Sequence, residues 1–308
     1  MLKTKPIYVE TVIHTTLDRV WEFTQTPSIH QQWDLRFTTI EYLPKAAESD
    51  PQRFLYATQI GFGIKVSGEG ESVGSHSKES GESTSALKFW SDEKISLIKV
   101  GSGYWKYIPK GNDVIFLTRY DYEVRHGFFG RLVDRLLFRP LIGRATAWSF
   151  DALKNWLEKG TLPSLSKKLF ATLFIANLII AITWLYHGIV PKLLHMETGE
   201  LEMMTATGWF GGMEKEMVYT LGVAEIVFGI AFLFFGRWKF LHWMNIFALL
   251  ALAAGACFAK PDIYIHPFNP ATTGFGAMGL SIVALLIAKH VPYAGNCRRK
   301  PGKKNVDL

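Results

Sequence analysis

Glu225 is the residue in this chain that most demands a chemical explanation. It stands inside the apolar run 217–235, and at a rise of ~1.5 Å per residue it lies ~12 Å in from the end nearer residue 217. A carboxyl at that depth in a membrane is costly unless it meets a partner or water, or holds a proton. His187, near the end of the apolar run 169–190, is the expected partner. It sits several Å nearer the outer surface, so contact needs a shifted helix or a bridging water. The pair reads two ways, as a proton-transfer or polar-ligand site in the outer half of a membrane, or as an interhelical clamp. His187 and Glu225 are therefore the candidate catalytic residues. His242 and His266 add two more imidazoles, but no two histidines stand across a bundle as axial haem ligands would, so haem is not expected. Asn177 and Asn245 fall in the inner half, where they can pair across helices. Cys257 and Cys297 form no CxxC and no metal-ligand spacing, so neither a metal site nor a dithiol centre is expected. His30 and Asp34 lie in a short polar segment and read as solvated.

A second set of residues suits binding. Along 114–125, alternation puts Phe116, Thr118, Tyr120 and Tyr122 on one strand face and Leu117, Arg119, Asp121 and Glu123 on the other. Phe54, Tyr56, Thr58 and Ile60 form a similar face on an earlier strand, and Trp148 stands on a helix that can close the opposite wall. Such a lining holds an apolar ligand; equally, aromatic stripes fill a solid core.

The elements that must position these groups fall into two halves of a 308-residue chain. Residues 1–160 alternate like a water-soluble α+β domain: a strand at 7–14, two short helical segments, strands at 53–60, 65–76, 86–90, 97–108 and 114–125, then a long helix over 129–159. Residues 161–308 hold four apolar runs, 169–190, 217–235, 240–259 and 272–288, each long enough to cross a ~30 Å hydrocarbon layer. Gly222, Glu225, Gly229 and Gly236 share one side of the second run, Ala248, Ala251 and Gly255 one side of the third, and Gly276 and Gly279 one side of the fourth. Small residues let backbones approach, so these sides are expected to face inward in a compact four-helix bundle.

The formal charge of +7 does not indicate nucleic acid, because the basic residues gather at the ends of the apolar runs instead of forming an arm or stripe. Lys167, Lys168, Arg237, Lys239, Lys289, Arg298, Arg299, Lys300, Lys303 and Lys304 flank one side, against Lys192, Lys215 and Lys260 on the other. That asymmetry, with no apolar signal core behind Met1, predicts an inner-membrane protein with both termini in the cytoplasm.

The first half resembles the START-like superfamily, also called SRPBCC or polyketide cyclase/dehydrase-like. The resemblance rests on the element order and on the Val20-Trp21-Glu22-Phe23 helix, the segment Ser28-Ile29-His30-Gln31-Gln32-Trp33-Asp34, the strand end Tyr120-Asp121-Tyr122-Glu123-Val124 and the closing WSFDALKNWLEKG. It implies a helix-grip fold, in which a curved antiparallel sheet wraps the long C-terminal helix around an apolar cavity. The second half resembles the DoxX-like membrane family, through Tyr186-His187-Gly188-Ile189-Val190-Pro191-Lys192-Leu193-Leu194, Gly222-Val223-Ala224-Glu225 and Phe268-Asn269-Pro270. That family's name implies a quinone- or redox-associated membrane protein. Together the expectations are a START-like cup that binds a lipid, quinone or isoprenoid beside the bilayer and is not a self-contained enzyme. The rivals are a subunit of a quinone-linked oxidoreductase whose redox partner is another chain, and a structural or assembly protein.

Overall fold

The computed structural model describes residues 5–61, 63–78 and 81–302, with backbone alone at residues 60 and 61. Contacts divide the chain into two compact units, Met1–Ser166 with Pro292–Leu308, and Lys167–Val291. The first unit opens with β1 (Ile7–Ile13), α1 (Leu17–Gln25) and α2 (Pro27–Trp33), followed by β2 (Thr39–Tyr42), β3 (Arg53–Gly61), β4 (Ile64–Ser77), β5 (Ser83–Trp90), β6 (Ile98–Lys110) and β7 (Asp113–Val124). The strands make one antiparallel seven-stranded sheet in the order β1-β7-β6-β5-β4-β3-β2. Only β1 leaves sequence order, and it can do so because two helices carry the chain from one edge of the sheet to the other. A helical run then leads from α3 (Gly127–Val133) through a π-helical turn into α4 (Arg139–Lys159). Gly160, at φ +67°, ends α4 in a left-handed conformation that a side chain would resist.

This is the helix-grip architecture. The buried face of α4 carries Ala147, Phe150 and Leu153 into a core with Val9, Ile13, Val20, Trp33, Tyr107 and Phe116. Phe116 stacks on Phe150 at 4.4 Å, centroid to centroid, and lies 5.1 Å from Tyr107. Each ring leaves water completely, worth about 1.5–3 kcal/mol apiece at ~25 cal/mol per Å² of apolar surface. The inward face expected for β7 is the observed one, since Phe116, Thr118, Tyr120 and Tyr122 are all buried.

The C-terminal segment belongs to this unit by contact, although in sequence it follows the last apolar run. Glu10 and Arg298 exchange backbone hydrogen bonds of 2.9 Å in each direction, so the tail pairs with the free edge of β1. The Asp151 carboxylate on α4 accepts from the Tyr293 backbone N–H at 2.8 Å and from Asn296 Nδ2 at 3.0 Å. Cys297 lies in the core, its thiol donating to the Ala147 carbonyl at 3.2 Å.

The second unit contains α5 (Pro163–His187), continued by a π-helical turn over Gly188–Leu194, then a short α6 (Glu200–Ala206), α7 (Glu214–Phe235), α8 (Lys239–Ala259) and α9 (Pro270–Ile287). Four of these helical stretches are long and apolar enough to span a membrane, Pro163–Leu194, Glu214–Phe235, Lys239–Ala259 and Pro270–Ile287. Among the basic residues that set the charge asymmetry, Lys303 and Lys304 lie outside the described residues.

On α7 the expected inward side is the buried one, with Gly222, Glu225, Gly229 and Phe232 covered. On α8 the small-residue rule holds for Ala248, which packs against the buried cluster, and fails for Ala251 and Gly255; on α9 it fails for Gly276 and Gly279. Ala251 and Gly276 are exposed, and a Cβ added to Gly255, Gly276 or Gly279 would meet nothing within 4 Å. The covered faces are instead Leu241, His242, Asn245 and Ala256 on α8, and Gly274, Ala277, Met278, Ser281 and Ala284 on α9. Polar side chains decide these faces, because in hydrocarbon they must find partners while a glycine or alanine can face lipid at little cost.

Candidate functional site

A cavity of about 440 Å³ opens inside the first unit, within the range of roughly 300–1,000 Å³ usual for small-molecule sites. Its walls come from strands β2 to β7 and from the helices that cover the sheet. Of the residues expected to line it, Phe54, Tyr56, Thr58, Thr118 and Tyr120 do so, and the side chain of Ile60 lies outside the described residues. Phe116, Tyr122 and Trp148 are buried elsewhere. Phe116 is locked between aromatic neighbours, and the Tyr122 hydroxyl donates to Asp134 Oδ1 at 2.6 Å. Phe54 and Tyr56 owe their positions to glycines on the paired strand. Phe54 stands opposite Gly70 and Tyr56 opposite Gly68, and each ring fills the space a Cβ at its glycine would need.

Several wall residues were not foreseen. Trp105 could have been found from register: it pairs with Thr118 as Gly103 pairs with Tyr120, so once the inner face of β7 is known, that of β6 follows. The larger surprise is the cluster His30, Asp34 and Arg36. Instead of being solvated, Asp34 is fully buried and His30 nearly so. Arg36 grips Asp34 through Nε at 2.9 Å and Nη2 at 2.6 Å, and His30 Nε2 lies 3.1 Å from Asp34 Oδ2. The His30 ring packs among Trp33, Phe37 and Trp105, and Ser149 of α4 accepts the Leu35 N–H at 2.8 Å, holding this corner on the long helix. His30 and Arg36 both reach the cavity wall.

The electrostatics of the cluster are decided by pairing. Burial opposes ionisation of Asp34, yet the Arg36 charge with hydrogen bonds from His30 and Arg36 holds the carboxyl well below the usual range. Burial pushes His30 below its ordinary value, offset only in part by Asp34. A neutral His30 donating its Nε2 proton to the carboxylate fits both directions. Arg36 lies 5.4 Å from the Tyr120 ring, and the Tyr120 hydroxyl donates to Thr146 Oγ1 at 2.9 Å, since Thr146 itself donates to the Ile142 carbonyl. The phenols are held protonated: burial, with Glu93 adding to it, pushes Tyr56 up to about 12, and burial also raises Tyr120 against the pull of Arg36. The wall therefore presents a compensated guanidinium and neutral hydroxyls, groups that can meet an oxygen atom without demanding a full negative charge.

The polar residues of the second unit form two separate groups. Glu225 is buried, as expected, but its neighbour is Lys192, with Nζ 3.2 Å from Glu225 Oε2 and 3.0 Å from Glu200 Oε1. His187 is half-buried one turn before that lysine. Gly188 and Gly222 bring the two helices together: a Cβ on Gly188 would fall 2.5 Å from the Gly222 carbonyl oxygen, and one on Gly222 would fall 2.9 Å from Lys192 Cβ. That approach sets Lys192 one turn from Glu225 on the facing helix. One ammonium set between two carboxylates ties the helix that carries Lys192 to the one that carries Glu225. Glu225→Gln is expected to cost about 1–2 kcal/mol, because Lys192 keeps Glu200 as its counter-charge. Lys192→Met should cost more, since it leaves Glu225 buried without a cation. Thermal unfolding of both variants in detergent checks the order.

The second group ties the helices together near their other ends. Trp184 Nε1 donates to Asn245 Oδ1 at 2.6 Å, and Asn245 Nδ2 donates to Ser281 Oγ at 2.9 Å. Ser281 lies 3.2 Å from His242 Nδ1, and His242 Nε2 lies 2.8 Å from the Gly236 carbonyl, which also accepts from Asn177 Nδ2 at 3.0 Å. Asn177 and Asn245 thus join one network without touching. Both His242 nitrogens are engaged in it.

A helix-grip unit with a lined cavity, joined to four helices long and apolar enough to span a membrane, defines the class: a membrane protein with an added helix-grip domain. Comparison with known sequences places it further. The DoxX-like family matches residues 181–282. The chain is 44% identical over 228 residues to the uncharacterized membrane protein YndG of Bacillus subtilis, covering 74% of this chain and 84% of that one. It belongs to the family of that membrane protein, and its second unit carries the DoxX-like domain. Among solved structures, TTHA0849 of Thermus thermophilus is 19% identical, with a TM-score of 0.34 over 44% of this chain and 86% of its own. A STAR-related lipid transfer protein fragment from Xanthomonas axonopodis is 14% identical, with a TM-score of 0.37 over 49% of this chain and 84% of its own.

Proposed function

We propose that the first unit is a receptor for a neutral, oxygen-bearing apolar molecule, of the class of a lipid, quinone or isoprenoid, and that the four-span unit keeps this receptor at the cytoplasmic face of the inner membrane. The observation that carries the reading is the cavity with Arg36 in its wall, because Asp34 already neutralises that guanidinium. A carboxylate ligand would have to compete with Asp34, whereas a carbonyl or hydroxyl oxygen needs only hydrogen bonds. Apolar area supplies the affinity, and the polar groups fix orientation. The excess of lysine and arginine on one side of the spans supports cytoplasmic termini. Tethering supports a handling role, since a receptor joined to the bilayer meets a membrane-borne ligand at high effective concentration.

The test is co-purification. Full-length protein extracted in mild detergent is expected to carry a stoichiometric apolar molecule in native mass spectrometry. Ser85→Trp, which places a large ring in the cavity at a buried wall position, should reduce that occupancy at least about tenfold, equivalent to ~1.4 kcal/mol. Hydrogen exchange of the strands should show the sheet intact. Equal occupancy in the variant, with the sheet protected, rules the cavity out as the binding site.

A further inference from the structure

The run that leads into α4 displays large apolar side chains to solvent. Phe128 is 77% exposed, Phe129 70%, Leu136 70% and Leu137 58%. Singly exposed apolar residues are ordinary, but a contiguous set with two phenylalanines on one short helical run marks a contact surface. The run is not loose. Its other side is held by buried Gly130 and by Asp134, which accepts from Tyr122 and, at 2.9 Å, from Arg139 Nε. Asp134 is also the run's one acid, and it is spent in these contacts. Arg131 and Arg135 are exposed, with no carboxylate partner among the described residues. The free face thus combines phenylalanine, leucine and uncompensated positive charge, the composition of a segment that lies in the headgroup region of an anionic bilayer.

We infer that the helical run 127–141 is a membrane-surface anchor: Phe128, Phe129, Leu136 and Leu137 seat in the interface of a leaflet, and Arg131 and Arg135 meet its lipid phosphates. A bilayer is the partner the chain itself supplies, since only residues 160–162 separate α4 from the helix that becomes the first candidate span. A tether at the C-terminal end of α4 and an anchor before its N-terminal end hold the unit at two points instead of one. The inference does not depend on the cavity being occupied.

The experiment uses the full chain in lipid nanodiscs, with Cys257 replaced by Ser. Cys297 can remain, because it is buried and burial, with Asp151 nearby, pushes its thiol up to about 12. A fluorophore on Phe129→Cys, and separately on Leu136→Cys, is compared with one on Lys110→Cys, an exposed position at the β6–β7 turn. Lipids bearing a shallow doxyl quencher are expected to quench the labels at 129 and 136 severalfold more than the label at 110, and aqueous iodide severalfold less. The lipid quenching should weaken in discs lacking phosphatidylglycerol, and Arg131→Gln with Arg135→Gln should abolish that dependence. Labels at 129 and 136 that are as open to iodide as the one at 110 overturn the proposal. So do labels shielded from iodide yet untouched by the lipid quencher, since a protein surface would then cover the run. Quenching that is equal in both discs overturns the role given to the arginines.

Discussion

Asp34→Ala is expected to destabilise the first unit by about 3–5 kcal/mol, the cost of leaving a buried charge without its partner. The carboxylate it removes has no exposure and receives both nitrogens of the Arg36 fork and His30. An exposed pair such as Arg53 with Glu69 sits at the opposite extreme, and its removal should change stability by less than about 1 kcal/mol. The mechanism makes a second variant informative. Asp34→Ala combined with Arg36→Met removes the stranded guanidinium, so more than half of the loss should return, as apolar replacement of a whole buried pair is often neutral. If the double variant is no better than the single, packing at this corner outweighs charge. Hydrogen exchange on peptides of β3, β6 and β7 reads the unit separately from the membrane helices.

The same cluster gives the pH dependence a sign. His30 and Asp34 both titrate below their ordinary values in the folded chain, so the unfolded chain binds the extra protons and stability falls on acidification. The contribution of each is complete above its unfolded value. The His30 part is lost as pH drops below about 6.5, and the Asp34 part as it drops below about 4. In Asp34→Ala the lower step should vanish, while the upper one remains for as long as His30 stays buried.

Periodicity and charge made the two halves legible, because they record facts that hold along the chain. The two-residue alternation of β7 predicts its buried face, and the lengths of the apolar runs predict the spans. What escaped depends on neighbours that arrive from elsewhere in the sequence. His30, Asp34 and Arg36 are polar residues beside a short helix, and nothing local says that Trp105 and α4 will cover them. Sequence position makes Lys192 a flanking charge of the outer side, yet the close approach of Gly188 and Gly222 turns it toward Glu225. His187 is the partner that sequence position suggests, but a lysine side chain has the longer reach, and Lys192 also pairs with Glu200. The stripes of small residues on α8 and α9 mislead, apart from Ala248, for a related reason. Small residues permit close packing, whereas His242, Asn245 and Ser281 require partners, and a requirement outweighs a permission.

The tail carries the other large expectation. Ending the chain after Pro292 should destabilise the first unit by about 3–5 kcal/mol, although every removed residue follows the last candidate span. Three losses combine. Asp151, only 3% exposed, loses its hydrogen bonds from Tyr293 and Asn296, and a hydrogen bond to a charged group is worth about 1.5–3 kcal/mol. Cys297 leaves a gap against Ala147 in the core, and β1 loses its paired partner at Glu10. For a unit of this size each kcal/mol lowers the unfolding midpoint by about 2–4 °C, so a fall on the order of 10 °C is expected. Asp151→Ala, which keeps the tail, should give a smaller part of the same fall. If the shortened chain melts like the full one, the tail merely rests on α4. If it melts early, the first unit is built from sequence on both sides of the apolar helices, and a fragment ending at Gly160 lacks part of its own core.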